Sequence, residues 1–166
     1  MPARPLILWP DPRLRRSCAR VETFDDDLRA LAADLTASLD AAMAAGLTAA
    51  HVGELRRLVV LRPEPGGPAS VYCNPEVVEA APERAAGREG SVSMPGVADD
   101  VERAAWVRVR FQDLDGVGQE ERAEGFRAAC LQHEIDQLDG VFWIERLSRL
   151  RRERILKRFA KLRDAG

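Results

Sequence analysis

The chain has 166 residues, 46% of them hydrophobic and 31% charged, with a formal net charge of -2. That length buries one good core and leaves too little chain for two, so a single domain over 1–166 is predicted. No run of about 18 apolar residues occurs, and Met1 to Pro12 carries Arg4 and four prolines in place of a charged then apolar leader, so a soluble, cytoplasmic protein with no membrane partner is expected.

Pro5, Pro10 and Pro12 break any helix near the start, and Asp25 to Asp27 then supply an N-cap and favourable charge for a first helix. Leu28, Leu31, Leu35, Leu39 and Met43 follow at helical spacing, a stripe that reads as core packing. Leu58 to Leu61 and Val71 to Cys73 read as short strands on either side of a turn-forming stretch, Pro63 to Pro68. Val77 and Val78, after Pro75, suggest another strand.

The clearest strand is Trp106 to Gln112, where Val107, Val109 and Phe111 alternate with Arg108, Arg110 and Gln112 to give one buried and one wet face. Asp113-Leu114-Asp115-Gly116 reads as a hairpin turn leading to a polar strand and a second helix from near Glu124. On that helix Phe126, Cys130, His133, Glu134 and Gln137 share one face, while Leu131, Ile135 and Leu138 form a separate apolar stripe. A helix apolar on two sides belongs in the middle of a molecule, and Gly140 stands where a C-cap is needed.

A last helix, about 148–164, takes Ser148 as its cap and Ile155, Phe159 and Leu162 as a narrow inner face. Nine basic residues, from Arg146 to Arg163, crowd the final 21 positions; on charge alone this reads as a solvated face before it reads as a patch for RNA. Strands precede the central helix without regular alternation, so the fold class is α+β: antiparallel strands packed around that helix, flanked by N- and C-terminal helices. The three cysteines, Cys18, Cys73 and Cys130, are widely spaced with no C-x-x-C pair, which argues against a disulfide framework or a zinc ribbon.

His133-Glu134 is half of an H-E-x-x-H arrangement, in which two imidazoles one turn apart bind a metal and the Glu between them moves protons; here the pattern ends in Gln137. Alone, the pair reads as a hydrogen-bonded core histidine. Its surroundings change that reading. Gln132-His133-Glu134-Ile135-Asp136-Gln137-Leu138-Asp139-Gly140 resembles the third motif of the peptide deformylase family, Q-H-E-x-D-H-L-x-G. Glu89 to Gly96 resembles the second, E-G-C-L-S-x-P-G, and Ala44 to Gly53 the first, G-V-G-L-A-A-x-Q-V-G, in the same order. Pro10 to Leu14, Asn74-Pro75, Val101-Glu102-Arg103 and Gly140 to Ser148 extend the resemblance over most of the chain.

The resemblance implies a compact α+β domain and a reaction: removal of the formyl group from the starting methionine of new polypeptides. The family's cofactor is ferrous iron, with zinc or nickel able to substitute, held by a Cys and two His. Carried over by position, Glu134 takes the acid/base role and His133 the first imidazole ligand, while Ser91 stands for the Cys and Gln137 for the second His. A serine hydroxyl stays protonated near neutral pH, and an amide oxygen is a weaker donor than imidazole, so the metal is expected to be absent or weakly bound. His51 stands where the family has a Gln that stabilises the oxyanion, and it is the only histidine besides His133.

Ala45, Gly46, Leu47, Val92, Phe126 and Cys130 are the expected substrate-binding residues, facing N-terminal Met or formyl-Met peptides, and Arg103 is expected to pair with Glu89. Three readings follow. The first is a deformylase-like protein with weak or lost hydrolysis and a retained role in binding peptides or nascent chains. The second is an active amide hydrolase with a metal site rearranged onto His51, His133 and Glu134. The third makes Ser91 a nucleophile with His133 or His51 as its base. The family resemblance also implies docking on the ribosome through the basic C-terminal helix.

Overall fold

A computed structural model describes residues 2–165. Helix α1, Asp26–Ala42, starts where the sequence reading places it: Asp25 is its N-cap, accepting a hydrogen bond from the Leu28 N–H at 3.0 Å. Its leucines, Leu28, Leu31, Leu35 and Leu39, are buried. Met43, expected to continue that stripe, does not: it is the left-handed C-cap residue, with φ 52°, and its side chain is 92% exposed. The reversal of backbone hand at the helix end rotates it off the inner face.

The chain then builds β1 (Gly46–Thr48), a 3-10 turn over Ala49–Val52, β2 (Leu58–Leu61) and β3 (Ser70–Ala80). The stretches Val71 to Cys73 and Val77-Val78, read as separate strands, are one. It runs through Asn74 and Pro75 with shifts in its pairing to β6 (Trp106–Gln112), and Asn74, at φ 52°, sits in the bulge. With β7 (Gly118–Glu124), these strands make one antiparallel sheet in the order β1-β2-β3-β6-β7. A second, two-stranded sheet pairs β4 (Arg84–Ser91) with β5 (Met94–Ala104). Sequence periodicity did not reveal this hairpin, because β4 is built from Ala, Gly and charged residues that are nearly all exposed.

Strand β2 shows how the layers are arranged. All four of its residues are buried, since Val59 and Leu61 face one cluster and Leu58 and Val60 face another on the opposite side. The first cluster includes Ala128, Leu131, Ile135 and Leu138 of α2 (Gly125–Leu138); the second holds the leucines of α1. A third cluster packs Ile155 and Phe159 of α3 (Arg149–Ala165) against Met94, Val97 and Val101 of β5. Leu162, expected on the same inner face, is 45% exposed, but its Cδ1 lies over Gly96.

Helix α2 is thus central, as its two apolar stripes require. It ends at Leu138, and Gly140 follows at φ +78°, where a Cβ would meet the Arg15 carbonyl oxygen at 2.7 Å. Only glycine allows the N-terminal segment to pass this close, and that passage places Leu14 beside the last turn of α2. No helix among the described residues is long and apolar enough to cross a membrane.

Candidate functional site

The chemistry-bearing residues gather around a cleft of about 650 Å³ between α2, β1 and the β4–β5 hairpin. Apolar and small residues form most of its wall: Ala45 and Gly46 from β1 and its approach, Ala85 to Gly87 and Val92 from the hairpin, Phe126 and Cys130 from α2. Phe126 stands 59% exposed at the wall. Cys130 is no latent thiolate, because burial pushes its pKa up to about 12, helped by the charges of Glu134 and Glu89. Leu47 departs from expectation. It points into the α1 cluster, fully buried, and does not line the cleft, since alternation along β1 sends its side chain to the opposite face from that of Gly46.

At the polar end of the cleft lie His51, Glu89, Ser91, His133 and Glu134. His133 Nδ1 donates to Glu89 Oε1 at 2.9 Å. Arg103 grips the same carboxylate through Nε (2.6 Å) and an Nη (2.9 Å), and its other Nη reaches Asp136 at 2.9 Å. Asp136 is also held by Arg146, at 2.7 and 2.8 Å. The expected Arg103–Glu89 pair therefore extends into a chain of alternating charge, buried at Glu89 and Arg103 and open to solvent at Arg146, that fixes the β4–β5 hairpin and the His133 ring on α2. Burial opposes the charge on Glu89, but His133 and Arg103 outweigh it and hold its pKa below the ordinary value. Burial likewise opposes a charged His133, and the carboxylates of Glu134 and Glu89 overcome it, raising its pKa.

Glu134 feels the charge of His133 but has no hydrogen-bonded cation of its own among the described residues. It is 4% exposed, its Oε1 makes no hydrogen bond, and burial raises its pKa. A Cβ on residue 46 would lie 2.7 Å from Glu134 Oε2, so only glycine at the end of β1 leaves room for the carboxylate.

His51 is held by Thr48, a position that also departs from the first motif. Its Nδ1 accepts the backbone N–H of Thr48 at 3.0 Å, across the 3-10 turn that follows β1. A backbone amide can only donate, so Nδ1 carries the lone pair and the neutral ring bears its hydrogen on Nε2. Burial, reinforced by the charge of His133, lowers its pKa to about 3 and keeps it neutral. Nε2 is buried without a partner in a residue that lines the cleft. His51 therefore offers a hydrogen-bond donor, where a metal would need a free lone pair. The local signal was available: a Thr preceding a short turn, with a side-chain acceptor three residues on, is a capping arrangement.

The two altered ligand positions behave differently. Ser91 lines the cleft, and its Oγ accepts the Ser93 N–H at 3.1 Å across the hairpin turn. Gln137 is 1% exposed and is not part of the cleft wall; its Nε2 donates to the Leu14 carbonyl at 2.7 Å. Its amide ties α2 to the N-terminal segment. Among the described residues no three His, Cys, Asp or Glu side chains are grouped to hold a metal ion. One imidazole, a hydroxyl engaged with backbone and an amide bonded away from the cleft do not suit a tightly held transition metal.

The polypeptide deformylase family model matches residues 3–153. A Brucella suis protein named peptide deformylase-like is 53% identical over 162 residues, covering 98% of this chain and 99% of that one. A Mesorhizobium japonicum protein named peptide deformylase is 47% identical over 165 residues, covering 98% of this chain and 94% of its own length. The crystal structure of a peptide deformylase from Legionella pneumophila superposes with a TM-score of 0.92 at 35% identity, covering 98% of this chain and 96% of that one.

Proposed function

Because the chain belongs to the polypeptide deformylase family, we propose that it keeps the family's peptide cleft and binds polypeptide amino termini, while metal-dependent deformylation is weak or lost. The observation that carries this reading is Gln137. Its Nε2 donates to the Leu14 carbonyl at 2.7 Å and the side chain is not part of the cleft wall, so the second imidazole position serves as a structural cross-link. The donor set left in the cleft does not fit ferrous iron, zinc or nickel, the ions that would supply an activated water in this family. What remains suits binding: an apolar wall for a side chain such as methionine's, and polar groups at one end that meet a peptide's amide atoms.

The test is hydrolysis of formyl-Met-Ala-Ser by anaerobically prepared protein, with ferrous, nickel or zinc ions added in turn. At most slow turnover is expected with any of the three ions, while the peptide still binds. Efficient turnover with stoichiometric metal would contradict the proposal. It would favour a second reading, an active deformylase or related hydrolase, which draws support from His133 and Glu134 in the cleft and from the relative named peptide deformylase. On that reading Glu134→Ala abolishes turnover. The Ser91 nucleophile gains no support, since its Oγ is engaged with the Ser93 N–H and no base is bonded to it.

Docking on the ribosome through α3 is part of the proposal. Arg154, Lys157, Arg158 and Lys161 recur at helical spacing on one exposed face and form no ion pair among the described residues. Their neighbours Arg151 and Arg163 are engaged with Asp99 and the Trp9 carbonyl.

A further inference from the structure

The cleft holds two buried polar atoms with no partner, one an acceptor and one a donor: Glu134 Oε1 and His51 Nε2. Both side chains line the cleft, and they are 4% and 1% exposed. Leaving such groups unmet costs roughly 1–3 kcal/mol each, more for a charged one, so the arrangement is stable enough to persist but is improved by any ligand that meets both.

The charges around them say which ligand. Glu89 is matched by Arg103 and His133, and Asp136 by Arg103 and Arg146. Glu134 is the one carboxylate at this end of the cleft with no cation bonded to it among the described residues. A buried carboxylate gains most from a cation that also donates hydrogen bonds. His51, neutral and with its hydrogen on Nε2, asks for an acceptor such as a carbonyl oxygen.

Resting on the peptide-binding reading above, we propose that the cleft selects the free α-ammonium of an unformylated polypeptide whose first residue is apolar. The ammonium donates to Glu134, the first carbonyl accepts from His51 Nε2, and the first side chain lies along Val92, Phe126 and Cys130. A formyl group removes the positive charge and leaves Glu134 with at most a neutral amide N–H. Selection would thus run towards chains from which the formyl group has already been removed.

The experiment measures binding of Met-Ala-Ser and its N-formyl and N-acetyl forms, by calorimetry, to the wild-type protein, Glu134→Gln and His51→Phe. Glu134→Gln keeps the side chain's shape, and thermal unfolding of each variant checks that the fold is intact. The free amine is expected to bind at least about tenfold more tightly than either capped form, with Glu134→Gln erasing that difference and His51→Phe weakening all three peptides together. Equal or tighter binding of the formyl peptide, or a preference that survives Glu134→Gln, would overturn the inference while leaving a peptide-binding cleft in place. If none of the three peptides binds, the peptide-binding reading itself falls.

Discussion

Gln137 shows most directly how a single position changes what a fold can do. Its Nε2 bonds the Leu14 carbonyl inside the molecule, so Gln137→Ala is expected to strand that oxygen and cost roughly 1–3 kcal/mol in urea unfolding. A fully solvated amide would cost far less. His51 makes a pH prediction. Its folded pKa, about 3, lies below the ordinary histidine value of 6.5, because burial and then the charge of His133 disfavour protonation. Between those values the unfolded chain takes up a proton that the native chain refuses, so this group's share of stability is intact above about pH 6.5 and falls as pH drops towards 3. Urea unfolding at pH 7 and pH 4 is therefore expected to show His51→Gln losing less stability on acidification than wild type, by roughly 3 kcal/mol. An equal loss in both proteins would mean that His51 is not held neutral by its surroundings.

At the scale of elements, the β4–β5 hairpin reaches α2 through Arg103, whose side chain is 6% exposed and bonded to both Glu89 and Asp136. Arg103→Met is expected to leave Glu89 and Asp136 short of a counter-charge and to destabilise the protein by roughly 3–5 kcal/mol, read from the urea midpoint. Helix α3 gives a different kind of prediction, since its basic face carries no packing. Lys157→Glu, Arg158→Glu and Lys161→Glu together are expected to leave the melting temperature almost unchanged and to weaken cosedimentation with ribosomes in a salt-dependent way. No change in cosedimentation would make the face merely solvated. How much of each element the sequence disclosed follows from what its residues do. The leucines of α1 and the alternation in Trp106 to Gln112 are burial patterns, and burial is what periodicity reports. Strand β4 has almost no buried residue, and Met43 left the apolar stripe through a change of backbone hand, so neither was visible in the pattern.

The whole molecule is held by three apolar clusters, none of which includes the polar end of the cleft. The family's α+β architecture was legible because its motifs place Gly46, Glu89, Arg103 and Gly140 at positions where packing leaves little choice. What the altered motif residues do was harder to read. Sequence named Ser91, Gln137 and His51 as changed, but the direction of the Gln137 amide and the tautomer of His51 depend on Leu14 and Thr48, which reach them only in three dimensions. With no metal ion expected among the cleft's side chains, a chelator is expected to leave the melting temperature unchanged. The most direct test of the central claim is the metal content of anaerobically purified protein, measured by elemental analysis after dialysis. Only trace, substoichiometric iron, nickel or zinc is predicted. One tightly retained metal ion per chain would contradict the account, because it would require the cleft to assemble a ligand set that Ser91, Gln137 and His51 do not provide.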